Sequence, residues 1–195
     1  MRIFVALDID DTIRHRLARF MDGVRDFSPD ARWVRVESLH VTLKFIGERS
    51  REQVEELKLA LSQVTERSFQ VTFGGFGFFP NPKAARVFWI GIESGTQLGG
   101  LAGHIDEACF TLGIAKEDHV FSPHLTLARG GSGTPRRQSG DIPNRRFAKL
   151  QEKLAALPAP EFDTMTAREF FLYESQLGRG GSRYTKLHGV PLTAG

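Results

Sequence analysis

Two four-residue segments of this sequence are near copies, His40-Val41-Thr42-Leu43 and His124-Leu125-Thr126-Leu127, 84 positions apart and one in each half of the chain. A single His-x-Thr carries little weight in a chain with 6 His. The doubled pattern, with an apolar residue between and Leu after, has a chance expectation on the order of one in ten thousand. Imidazole is the side chain whose proton equilibrium lies nearest neutrality, so two of them can act as base and acid in one turnover. In-line displacement at phosphorus asks for such a pair, one taking the proton from attacking water and the other protonating the departing oxygen. Threonine hydroxyls can hydrogen-bond the non-bridging oxygens, and a cation offsets the charge that develops on them. Arg129 follows the second motif closely, and Lys44 the first.

On a strand alternate side chains share a face, so His40 emerges with Thr42 and His124 with Thr126, while Val41, Leu43, Leu125 and Leu127 pack behind. If the two halves face one another about an approximate twofold axis, two imidazoles and two hydroxyls converge on one cleft, each strand anchored by its aliphatic residues.

The rest of the chain must build that arrangement. Residues 2–7 predict a short buried strand. A helix capped by Asp10 or Asp11 follows, with Ile13, Leu17, Phe20, Met21 and Val24 on one face. Arg32 to Val36 and Leu39 to Phe45 read as consecutive strands split by Glu37-Ser38. Ser50 with Gln53 forms a capping-box signature for a helix that buries Val54, Leu57, Leu61 and Val64. Strands are expected at Phe69 to Phe73 and Arg86 to Ile92 around a Gly/Pro-rich connection, then a helix with Leu98, Leu101, Ile105, Ala108 and Leu112 inward. A strand begins near Pro123, and a helix from about Pro143 buries Phe147, Leu150 and Leu154. Segments 167–175 and 183–190, joined by the turn Gly178 to Gly181, supply two closing antiparallel strands. About four helices interleave with seven or eight strands and no Pro/Ser-rich linker divides them. The chain therefore reads as α+β in two intertwined lobes, a single domain over 1–195.

Composition excludes much else. In 195 residues, 41% are hydrophobic and 16 are Phe, enough apolar surface to exclude overall disorder. The opening Ile3-Phe4-Val5-Ala6-Leu7 meets Asp8, Asp10 and Asp11 before it can become a signal-peptide core, and no apolar run reaches the length of a membrane span. The sole cysteine, Cys109, suits a reducing cytosol, and it sits on an apolar helix face as a buried small hydrophobe rather than a nucleophile. A net charge of +3 permits nucleic acid without demanding it. His15, His104, His119 and His188 lack a partner pattern and read as surface or structural residues, and no His-Glu-x-x-His zinc signature occurs. Gly74-Gly75-Phe76-Gly77 lacks the Gly-Lys-Ser/Thr ending of a phosphate-binding loop and reads as turn or strand-edge glycine.

The two His-x-Thr-Leu motifs resemble those of the two-histidine phosphoesterases, and within them the LigT-like RNA 2',3'-cyclic phosphodiesterases, also described as 2'-5' RNA ligase-like. The likeness extends to Arg2 through Asp8, Arg32-Trp33-Val34, Leu39 through Gly47, Pro123 through Arg129, Leu172-Tyr173-Glu174-Ser175 and Gly180 to Tyr184, so it covers essentially the whole chain. It implies a bilobal pseudo-twofold fold of two antiparallel sheets about a central cleft with helices outside. It also implies metal-independent hydrolysis of a 2',3'-cyclic phosphate to a 2'-phosphomonoester, no cofactor, and a cytoplasmic monomer. The partners implied are RNA ends carrying the cyclic phosphate, tRNA fragments or nucleotides. His40 corresponds to the proton donor and His124 to the acceptor. Thr42, Thr126 and Arg129 correspond to phosphate contacts, and Phe45 to a position that can stack on a base.

Strict alternation, however, puts Phe45 and Arg129, each five residues past its histidine, on the face opposite it. A bulge or strand end is therefore required if they line the cleft. The Gly/Arg segment 130–140, with Arg136 and Arg137, departs from the family pattern and reads as a mobile surface insertion rather than a flap over RNA. Two other functions stay open from the residues alone: an RNA-end-binding module without turnover, and an esterase for a small cyclic nucleotide such as an ADP-ribose cyclic phosphate.

Overall fold

Every residue from Ile3 to Leu7 is buried, and this continuous apolar run forms an inner strand, β1 (Arg2–Leu7), as expected of a strand covered on both faces. The computed structural model describes residues 1–130, 145–178 and 181–194. The chain continues through α1 (Asp11–Val24), β2 (Arg32–Trp33), β3 (Val41–Glu48), α2 (Arg51–Leu61), β4 (Phe69–Phe79), β5 (Val87–Glu93) and α3 (Gln97–Phe110). It closes with β6 (His124–Arg129), α4 (Ala148–Ala155), β7 (Glu161–Ala167), β8 (Glu169–Gly178) and β9 (Gly181–Pro191). The strands form two antiparallel sheets, ordered β3-β1-β8-β9 and β2-β6-β5-β4-β7. The fold is α+β and bilobal.

The same unit occurs in both sheets. In β1-α1-β3 and in β5-α3-β6, a strand is followed by a helix and then by an antiparallel neighbour that carries a His-x-Thr-Leu motif. Each helix packs on the other lobe, α1 against β7 and α3 against β3. This exchange explains why no linker separates the halves, because one contiguous apolar cluster runs from Val5 and Leu43 to Phe88 and Leu125. α1 buries Ile13, Leu17, Met21 and Val24, and Phe20 packs edge-on against Phe162 of β7. α2 opens on the anticipated capping box, with Gln53 N–H donating to Ser50 Oγ and Ser50 N–H donating to Gln53 Oε1.

Some boundaries differ from the sequence expectation. Residues 32–36 hold only the two-residue β2, followed by a 3-10 turn at Val36–Ser38. α3 ends at Phe110 before the left-handed Gly113, so Leu112 lies beyond the helix and is partly exposed. α4 begins at Ala148, and residues 143 and 144 lie outside the described residues, as do Arg136, Arg137 and the turn glycines' neighbours at 179–180. β4 runs through the glycine cluster with a register shift beside the left-handed Gly75. Gly77 is required there, because the Trp89 indole lies where a Cβ would stand, 2.1 Å away. β7 was not anticipated: positive φ at Asp163 and an adjoining register shift break its alternation, so Phe162 and Met165 are both buried although three residues apart.

The decisive irregularity lies in the motif strands. Where β3 pairs with β1, Lys44 opposes Val5 and Thr42 opposes Ala6, leaving Leu43 as the extra residue. Where β6 pairs with β5, Ala128 opposes Phe88 and Thr126 opposes Trp89, leaving Leu127 extra. Leu43 and Lys44 are consequently both buried, as are Leu127 and Ala128. The bulge turns Lys44 inward. Its ammonium donates to Asp106 Oδ1 at 2.5 Å and to the Ala115 carbonyl at 3.0 Å, with a side chain 1% exposed. Removing one partner of a buried pair strands the other charge, so Lys44→Met should lower unfolding free energy by about 3–5 kcal/mol. Chemical denaturation measures this, and a loss under about 1 kcal/mol would contradict the placement.

Candidate active site

The bulges answer the problem posed by alternation. Because each strand gains one residue at position three past its histidine, the residues two and five past it come to the same side. On β3, half-buried Thr42 and exposed Phe45 share the face of His40, and the Phe45 and His40 rings both pack on Phe4, at 6.2 and 4.8 Å between centroids. On β6, Thr126 and Arg129 stand in the equivalent places, Arg129 exposed.

Each imidazole is fixed in the same way. His40 Nδ1 lies 2.7 Å from the Ser38 carbonyl and His124 Nδ1 lies 2.8 Å from the Ser122 carbonyl. A carbonyl oxygen only accepts, so each Nδ1 carries a proton and donates, and the neutral ring keeps its lone pair on Nε2. Sequence reasoning passed over these two anchors because they are backbone groups, although both copies read Ser-x-His-x-Thr-Leu. Alternation reads Phe79 and Trp89 as core residues, with one or two of the aromatics free to offer a base-stacking platform, and does not select which. Phe4 and Tyr184 hold the His40 ring, Tyr184 edge-on at 5.0 Å. Phe79 meets the His124 ring edge-on at 4.9 Å, with Trp89 tilted against Phe79 at 5.0 Å.

Arg129 links the two faces. Its positive charge bears on both His40 and His124, and the Tyr184 phenol bears on Arg129 in turn. A cavity of about 440 Å³ is lined by Thr42 and Phe45 from the first motif strand, by His124 from the second, and by Phe79 and Phe121. His40 lines a second recess of about 230 Å³ with Ser38, Tyr173, Tyr184 and Lys186. Neither lining includes Thr126 or Arg129.

Burial pushes His40 below its ordinary value of 6.5, the Arg129 charge adds to this, and the Ser38 carbonyl and the Asp8 carboxylate oppose it. His124 is lowered by burial and by Arg129 against the Ser122 carbonyl. Both rings are therefore neutral at pH 7 with the cleft empty, and an anion between them would raise the proton affinity of each. Of the other histidines, His104 pairs with Glu66 at 3.3 Å and His188 with Ser62 Oγ at 2.8 Å, while exposed His119 lies at the rim of the larger cavity. Among the described residues no group of three or more His, Cys, Asp or Glu is placed to hold a metal ion. Burial pushes the Cys109 thiol up to about 11, which suits a packing residue. Imidazole titration by NMR should place both His40 and His124 below 6.5, and Arg129→Gln should move both upward because a cation facing them is lost. Movement of one ring alone would contradict a shared cleft.

Comparison with known proteins agrees with this arrangement. A family model described as LigT like Phosphoesterase matches residues 7–89 and 90–184, one match for each half and each containing one motif. The chain is 33% identical over 187 residues to an RNA 2',3'-cyclic phosphodiesterase of Archaeoglobus fulgidus, covering 96% of this chain and 98% of the relative. It is 29% identical over 195 residues to the protein of that name in Escherichia coli, covering 98% and 97%. The solved structure of E. coli LigT complexed with 3'-AMP superposes with a TM-score of 0.77 at 28% identity over 98% of both chains. Both halves of the fold, with the motif that each carries, are those of one family: the chain belongs to the LigT-like phosphoesterases.

Proposed function

We propose that this protein hydrolyses 2',3'-cyclic phosphates at RNA ends to 2'-phosphomonoesters, using His124 as base and His40 as acid and no metal ion. The observation that carries the reading is the matched pair of imidazoles, each with Nδ1 bound to the carbonyl two residues before it and both under the charge of Arg129. His124 Nε2 takes a proton from water, the water oxygen bonds to phosphorus, the bond from phosphorus to the ribose 3' oxygen breaks, and His40 delivers a proton to that oxygen. The bound phosphate anion supplies the field that protonates His40 despite its lowered affinity in the empty cleft. Thr42 and Thr126 donate to non-bridging oxygens and Arg129 balances their growing charge.

Phe45, 62% exposed at the mouth of the cavity, offers a face for a base, and the cavity volume suits a nucleotide. The relatives' names and the 3'-AMP complex of E. coli LigT support a nucleotide or RNA end as ligand. The apolar core that runs through both halves supports residues 1–195 acting as one domain. No helix among the described residues is long and apolar enough to cross a membrane. By microscopic reversibility the same groups can join the cyclic phosphate to a 5'-hydroxyl.

His40→Ala and His124→Ala should each lower turnover of a nucleoside 2',3'-cyclic phosphate by about 10²- to 10⁴-fold with the fold intact. EDTA should leave the wild-type rate unchanged. An unchanged rate in either variant, or a 3'-phosphate product, would contradict the assignment. Because the base must be neutral and the acid protonated, and both lie below 6.5, kcat/KM should trace a bell centred on the acid side of that value. A maximum above about pH 7.5 would contradict it.

A further inference from the structure

One partly buried ion pair lies beside His40 without touching the larger cavity. Arg14, in the first turn of α1, has a side chain 16% exposed, and its Nη2 donates to Asp8 Oδ1 at 2.6 Å. Its Nη1 donates to the Val36 carbonyl at 2.7 Å, and the Leu39 carbonyl lies 3.4 Å from the same nitrogen. Asp8 is held in turn: the Ile9 N–H donates to Oδ1 at 2.9 Å, and Lys186 of β9 donates to Oδ2 at 2.6 Å. Nη2 also donates to the Ile9 carbonyl at 3.3 Å, and the other two carbonyls that Arg14 reaches bracket Ser38, whose own carbonyl fixes His40 Nδ1.

We infer that Arg14, anchored by Asp8, is a positioning residue that sets the tautomer and aim of His40 by clamping the 36–39 turn to the start of α1. The inference rests on the reading of His40 as the acid. The turn is the crossing from β2 in one sheet to β3 in the other, and it holds itself together by only short-range bonds, from Ser38 N–H to the Arg35 carbonyl and from Leu39 N–H to the Val36 carbonyl. A guanidinium fork is suited to this place, since it spans two carbonyls and a carboxylate in one plane, which a lysine ammonium does not. Losing it leaves the Val36 carbonyl without its charged donor and frees the turn, and the Ser38 carbonyl drifts from His40. The ring then populates the tautomer with its proton on Nε2 as well, and its Nε2 is no longer held on the departing oxygen. Lys186 and Tyr184, alternate residues of β9, complete the wall: one holds Asp8 and the other packs on His40.

The test uses the full chain and two readouts. Nitrogen NMR of the imidazoles at pH 8, with the His40 signals assigned by their loss in His40→Ala, reports the tautomer, and nucleoside 2',3'-cyclic phosphate reports turnover. The wild type should show His40 as the Nδ1–H form. Arg14→Met should show a mixture of both forms and a kcat at least about 10-fold lower with KM changed by less than about 3-fold, and Arg14→Lys should fall between. If Arg14→Met does not fold, Asp8→Asn, which removes the anchor and keeps the shape, should give a milder form of both effects. A folded Arg14→Met or Asp8→Asn protein with a single Nδ1–H tautomer or with wild-type kcat would overturn the inference. Undiminished turnover in His40→Ala would instead overturn the acid assignment, leaving the tautomer readout to decide the clamp.

Discussion

An extended strand shows its side chains to alternate faces, and the whole site depends on that rule being broken once in each half. Leu43 and Leu127 are the residues left over where the motif strands pair with β1 and β5. Each insertion buries two consecutive residues and brings the position five past the histidine round to join those at zero and two. Without the bulges, Phe45 and Arg129 would point into the core and Lys44 would point into the cleft. With them, Arg129 stands on β6 at the place that Phe45 takes on β3. The approximate twofold of the backbone thus carries an asymmetric set of side chains.

That asymmetry is also electrostatic. Arg129 depresses the proton affinity of both rings; on His40 the Asp8 carboxylate acts in the opposite sense, against Arg14, which acts with Arg129. A ring that must hand over a proton benefits from a nearby carboxylate, and a ring that must accept one from water can do without it. Asp8 itself is lowered: burial works against its charge, and the hydrogen bond and charge of Lys186, the Ile9 N–H and Arg14 outweigh it. It therefore stays ionised as a fixed neighbour across the range in which the imidazoles titrate.

Much of this was legible in the sequence because the motif is doubled. The repeat identified the two strands, their inward aliphatic residues and the four polar side chains, and the capping box and apolar spacings placed α1, α2 and α3. The bulges were demanded by the chemistry expected of Arg129 and Phe45, yet Leu43 and Leu127 look like ordinary strand residues, since a bulge is a property of pairing between two strands. Lys44, the cation that follows the first motif, lines the larger cavity but is taken up by Asp106, a pairing distant in sequence that leaves no mark in local spacing. β7 escaped notice because its alternation breaks at Asp163, and the Ser38 and Ser122 carbonyls did so because backbone acceptors leave no mark in residue type. Arg14, in a helix with many charged residues, shows its importance only when the crossing from β2 to β3 is seen beside it.

The central claim is that one phosphate group sits between two imidazoles that are far apart along the chain. A crystal structure with a bound nucleoside 2'-phosphate tests it most directly. The account requires Nε2 of His124 within about 2.6–3.2 Å of a phosphate oxygen and Nε2 of His40 within the same distance of the ribose 3' oxygen beside that phosphorus. A ligand approached by one ring alone, or a phosphate seated outside the space between β3 and β6, would contradict it.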